Sequence, residues 1–120
     1  GKLDNFLGLA VKASDNIHNM TNLPDVSRQF KLNNLSNWEL WYMNIGTGGG
    51  IGREIGNLIN TLNYSENTMS SIIKNDSVSF SVNNELAIKI SIDSMVGNSF
   101  YLTAEDFGSD SLVITNIRFY

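Results

Sequence analysis

Val78 to Ile92 constrains the fold more than any other stretch of this chain. Apolar residues occupy every second position: Val78, Phe80 and Val82, then Leu86, Ile88, Ile90 and Ile92. That is the period of a strand with one dry face. The two runs are separated by Asn83, Asn84 and Glu85. Asparagine tolerates the positive φ that tight hairpin turns require, so the stretch reads as a β-hairpin. At roughly 1.5–3 kcal/mol for each apolar side chain fully buried, the dry face must be covered by something.

The chain has 120 residues, which suits one domain with one core. Residues 69–120 are expected to form its antiparallel β core, with 1–27 as a helical or extended lead-in. Charged residues make up 17%, below the usual quarter of a globular domain. Seventeen Asn, 14 Ser and 10 Gly take their place. A neutral, hydrogen-bonding surface of this kind suits recognition of neutral polar ligands, although an AT-rich genome would also raise the Asn and Ile content. Net charge is −4, with the eight cationic residues scattered. The basic patch of a nucleic-acid binder is missing. Cysteine is absent, which excludes disulfides, thiolate metal sites and a cysteine nucleophile. No apolar run approaches the roughly 18–20 residues of a membrane span, so membrane insertion is not expected.

Along the chain, Leu3, Phe6, Leu7, Ala10, Val11 and Ile17 fit one helical face, and a helix is favoured there over the competing alternation of Leu7, Leu9 and Val11. Residues 21–27, with the single Pro24, read as a loop that holds Leu23 extended. Arg28 to Leu32 reads as a short strand and 33–37 as a turn. Trp38 to Ile45 fits either a strand or a helix capped by Ser36 and Glu39, and its aromatic content favours the strand. Gly46 to Gly52 reads as a loop. Ile51, Ile55, Leu58, Ile59 and Leu62 then predict a helix over 51–62, despite a cost of about 1 kcal/mol each for Gly52 and Gly56. Further strands are expected at 70–74, 99–103 and 112–120, with an acidic loop at 104–111.

Several groups could carry chemistry. The glycine loop, followed by a helix opening at Arg53, is similar to a phosphate-binding turn. It lacks the spacing of a dinucleotide fingerprint and the Lys-Ser/Thr of a P-loop. Trp38, Trp41 and Tyr42, with Asn44 close by, could stack on sugar faces or anchor a partner. Gly48 and Gly49 could form the lip of such a site. Core packing is the competing role for the aromatics. Glu105, Asp106 and Asp110 could hold Ca²⁺, but lack EF-hand order and read as a solvated loop. The single histidine, His18, is expected to be a bystander. No metal, cofactor or catalytic group is implied.

The sequence therefore predicts a mainly β, single-domain antiparallel β-sandwich, jelly-roll-like, with one or two short helices; α+β is the alternative. The expected role is a non-catalytic recognition or attachment module for a neutral glycan or cell-surface receptor, on a secreted, cell-surface, virus or phage protein. Its candidate site is Trp38, Trp41, Tyr42, Asn44, Gly48 and Gly49. A homotrimer would fit an attachment role. One alternative is a protein-binding partner such as an immunity or inhibitor protein. The other is a phosphate- or nucleotide-binding domain using Gly46 to Gly52. No specific family is recognised.

Overall fold

The computed structural model describes residues 6–13, 17–18, 23–24, 26–33, 36–44, 50–63, 66–91, 99–105 and 116–117. The regular elements among them are ten strands, with no helix. They are β1 (Phe6–Ala13), β2 (Ile17–His18), β3 (Leu23–Pro24), β4 (Val26–Asn33), β5 (Asn37–Asn44), β6 (Gly50–Asn57), β7 (Met69–Lys74), β8 (Ser77–Val82), β9 (Glu85–Ser91) and β10 (Ser99–Glu105). The larger sheet has five strands in the order β10-β1-β4-β5-β6, and the smaller has the order β7-β8-β9. β2 and β3 form a separate pair, and every pairing is antiparallel. The mainly β expectation holds.

The hairpin behaves largely as its pattern dictates. Val82 pairs with Glu85, leaving a two-residue turn in which Asn83 and Asn84 both have positive φ, 50° and 68°. That is the requirement of a type I′ turn, which matches strand twist. Val78, Phe80 and Val82 are buried to 1% exposure or less. Leu86 departs from the expected face. The register slips between Phe80 and Ser81, so that Phe80 faces Ile88 while Ser81 faces Leu86. This β-bulge adds Ala87 to the strand and flips the phase before it. Ala87, Ile88 and Ile90 pack against the core, while Leu86 is exposed.

The dry face of β8 meets Phe30 and Leu32 of β4 and Trp38 and Leu40 of β5. At the centre, the Phe30 and Phe80 rings stack with centroids 5.1 Å apart and planes 8° apart. β4 and β5 of the larger sheet thus cover the dry face that the hairpin presents.

Two helix expectations are overturned. The N-terminal segment is β1, an inner strand paired on both sides with β4 and β10; the alternation of Leu7, Leu9 and Val11 was the governing period. The lead-in expected over 1–27 therefore includes part of the main sheet. The 51–62 segment is strand β6 followed by irregular chain. A spacing of four also returns a residue to the same side of a strand, so Ile51 and Ile55 could not decide the matter. Gly56 decides it. A Cβ there would collide with the Trp38 indole, which lies against the glycine backbone.

Smaller corrections concern loop ends. Leu23 and Pro24 pair with His18 and Ile17, and β4 begins inside the expected 21–27 loop. β6 begins inside the expected glycine loop at Gly50, and β10 runs on to Glu105. The last strand expected at 112–120 falls outside the described residues, apart from Asn116 and Ile117, which lie in no strand.

Residues 58–62 tie the two sheets together. The Leu58 N–H donates to Ser36 O (2.9 Å) and the Leu62 N–H to Ser36 Oγ (3.0 Å), in the β4–β5 turn. The Ile59 and Asn60 N–H groups donate to the Glu85 carboxylate at 2.6 and 2.9 Å. Those two bonds favour the ionised form, with Asn60 the larger influence, and hold Glu85 below its ordinary value of 4.5.

Two outcomes follow from this packing. Phe80→Ala removes half of the central stack and is expected to cost about 3–5 kcal/mol in urea unfolding. Ile59→Ala, at a side chain 91% exposed, should stay within about 0.5 kcal/mol of the parent. The second outcome concerns pH. A lowered folded-state value means that Glu85 contributes stability above 4.5, and that this contribution is lost as the pH falls through the folded-state value. Exchange protection of the Ile59 and Asn60 amides should weaken across that acid window, and the step should be missing in Glu85→Gln.

Candidate functional site

Strand alternation divides the aromatic segment of β5 between the two faces of the sheet. Trp38, Leu40 and Tyr42 point toward the smaller sheet; Glu39 and Trp41 point the other way. Trp38 is 9% exposed, and its ring lies 6.1 Å from Phe30, tilted by 31°. It serves the core.

Tyr42 and Asn44 belong to a polar cluster at the end of that inner face. Arg28, 4% exposed, donates through Nη1 to Ser27 O (3.0 Å) and Asn44 Oδ1 (3.1 Å). Its guanidinium lies 5.1 Å from the centre of the Tyr42 ring. Burial pulls the Arg28 guanidinium below its usual value, opposed by Tyr42. Burial also raises the Tyr42 phenol, helped by a hydrogen bond to Glu54. The cation–π contact and hydrogen bonds offset part of the cost of burying the charge.

Trp41 lies on the outer face with different neighbours. Across the strands it faces Gln29 and Arg53, while Glu39 faces Lys31 and Ile55. The Lys31 ammonium sits 4.8 Å from the indole centre and the Arg53 guanidinium 5.5 Å. Arg53 also pairs with Glu39 at 2.9 Å. Trp41 is thus flanked by cations from both neighbouring strands instead of offering an open ring. Its Nε1, with Gln29 Oε1, is buried without a hydrogen-bond partner among the described residues.

Next to this cluster runs an open groove of about 490 Å³, lined by Asn33, Asn37, Glu39, Arg53, Ile55 and Asn57, with Trp38 and Gly56 of the same strands also bordering it. Asn33 Oδ1 accepts the Asn37 N–H at 3.0 Å, which fixes the turn at the groove's end. Ile55 is 68% exposed. The groove therefore offers amide donors and acceptors, one oriented ion pair and one apolar side chain, all on hydrogen-bonded strands.

The six residues expected at the site are not brought together. Trp38, Tyr42 and Asn44 lie on the inner face, Trp41 lies on the outer face, and Gly48 and Gly49 fall outside the described residues. The phosphate-binding reading needed a helix starting at Arg53. Arg53 sits in the middle of β6, so no helix dipole is present there. Among the described residues no three His, Cys, Asp or Glu side chains come together as a metal site. Glu105 closes β10 opposite Phe6, His18 lies in β2, and Asp106 and Asp110 fall outside the described residues. The ion pair and Asn57 stay hidden when 51–62 is taken as a helix; pairing β6 with β5 sets Asn57 opposite Asn37 and puts Arg53 diagonal to Glu39.

Gly56→Ala should push the Trp38 indole out of place, at a cost of about 1–3 kcal/mol. In a Trp41→Phe background the same change should shift the emission of the remaining tryptophan, Trp38. Compared with protein-family models, curated proteins and solved structures, the chain gives no match.

Proposed function

We propose that this chain is a non-catalytic recognition module that binds a neutral glycan along the Asn37–Asn57 groove, displayed on a secreted, cell-surface or particle protein. The observation that carries this reading is the groove's chemistry. Amides both donate and accept, as sugar hydroxyls do, and the Glu39–Arg53 pair presents one group of each sign in a fixed orientation. Ile55 can cover the C–H side of a ring. Trp41 is the support under Arg53 in this scheme and is not itself a stacking platform. A ligand here meets side chains preorganised by an eight-residue ladder between β5 and β6, so little ordering cost falls on binding.

A protein receptor is the second reading. It draws on exposed Ile51 and Ile55 along the same strand.

A glycan array, followed by NMR titration of the hits, tests the first reading. Binding should move the side-chain amide signals of Asn37 and Asn57. Asn57→Ala should weaken binding about 2–10-fold, the value of one hydrogen bond. A hit that leaves both amides unmoved, or no glycan hit together with a tight protein partner, would replace the glycan reading.

A further inference from the structure

Edge strands expose a row of unpaired backbone N–H and C=O groups, and proteins normally defend them with bulges, outward charges, proline or short length. The edges of the two larger sheets differ in this respect. The β1–β10 ladder is broken by a register shift between Ala10 and Ala13, and β9 carries the Ala87 bulge. β7 has six residues and ends on Lys74. β6 runs eight residues from Gly50 to Asn57 in unbroken register with β5, and no described strand lies beyond it. It contains no proline, and Ile51 and Ile55 are 53% and 68% exposed.

The one cation of β6 is drawn off the edge. Arg53 reaches back across its own sheet to Glu39 at 2.9 Å and lies over Trp41. The ion pair therefore removes the one cation that would otherwise guard this edge; the remaining charge, Glu54, lies on the inner side, where it hydrogen-bonds Tyr42.

The sequence of β6 also fits itself. On the outer face the order Ile51, Arg53, Ile55 reads the same in both directions. An antiparallel copy related by a two-fold axis at Arg53 sets each Ile51 opposite Ile55 of the second copy, an apolar cross-strand pair on both sides of the axis. On the inner side each Glu54 meets Gly52 of the second copy, which has no side chain to crowd it. The two Arg53 side chains meet at the axis, each turned back over its own sheet toward Glu39, which offsets part of their repulsion.

We infer that β6 is a self-pairing edge, and that two copies of this chain join there into one continuous sheet containing the five described strands of each. A partner strand adds in the plane of the sheet, about 4.8 Å away, so it lies beside the groove and not over it. The symmetric match favours a closed two-fold pair over the trimer suggested by an attachment role, and over open-ended growth.

The test combines mass measurement and cross-linking. Sedimentation equilibrium of the whole chain should give a concentration-dependent dimer. Ile55→Lys should raise the dimer dissociation constant at least tenfold while leaving the circular dichroism spectrum unchanged. The absence of native cysteine allows a register test. Arg53→Cys should form a disulfide-linked dimer under mild oxidation far faster than Ile59→Cys, an exposed position outside β6. A monomer at every accessible concentration, a trimer, a filament, a dimer indifferent to Ile55→Lys, or equal cross-linking of the two cysteine variants would each overturn the inference. None of these outcomes depends on glycan binding.

Discussion

The stack of Phe30 on Phe80 is the contact on which the rest of the structure depends. It is where the small sheet meets the large one, and it sits on a strand with almost no access to water. From Ser27 to Asn33, every residue of β4 is at most 7% exposed. β4 reads as an amphipathic strand, yet both of its faces are covered. Its polar residues therefore had to be accommodated. Arg28 finds the Tyr42 ring and the Asn44 amide on the inner face, and Lys31 finds the Trp41 ring on the outer face. A buried charge is expensive, and an aromatic face worth about 2 kcal/mol when desolvated is one way to offset it. Tyr42 and Trp41 of β5 are thus explained by the cations of β4, and Trp38 by the core, before any ligand is considered.

The same logic revises the meaning of the asparagines. Asn75, Asn83 and Asn84 occupy positive-φ turn positions that few other residues accept. Asn83 also accepts the Thr68 N–H and donates to Asn67, which exchanges hydrogen bonds with Asn63. Asn33 fixes the β4–β5 turn. Much of the asparagine content is architectural, and the recognition argument rests on the few amides left facing the groove. That is a narrower basis than composition suggested, but a more specific one, because it names Asn37 and Asn57.

What the sequence made legible follows from where one period dominated. Alternation located the β8–β9 hairpin, and the Asn83-Asn84-Glu85 break located its turn, which uses the two asparagines and leaves Glu85 as the first residue of β9. Aromatic content favours a strand for β5, and strand alternation then separates Trp38 from Trp41, which the expected single site groups together. Legibility failed where patterns overlapped. Ile51 and Ile55 satisfy both helix and strand spacing, and the contact that decides between them, Trp38 on Gly56, is long-range. The Ala87 bulge was invisible for a related reason: one inserted residue preserves composition while reversing which side chains face inward. The groove was hidden behind the β6 error, since its walls face one another only when β5 and β6 are paired.

Through the Phe30–Phe80 stack the two sheets form one cooperative unit, so that the outer face of β4, β5 and β6 is a rigid surface. Native-state amide exchange measures this most directly. If the account holds, the slowest amides of β4, β5 and β8 exchange with one common free energy equal to that of global unfolding, and share its denaturant dependence. Exchange of β7, β8 and β9 through a separate, lower-energy opening, with β4 and β5 still protected, would contradict it.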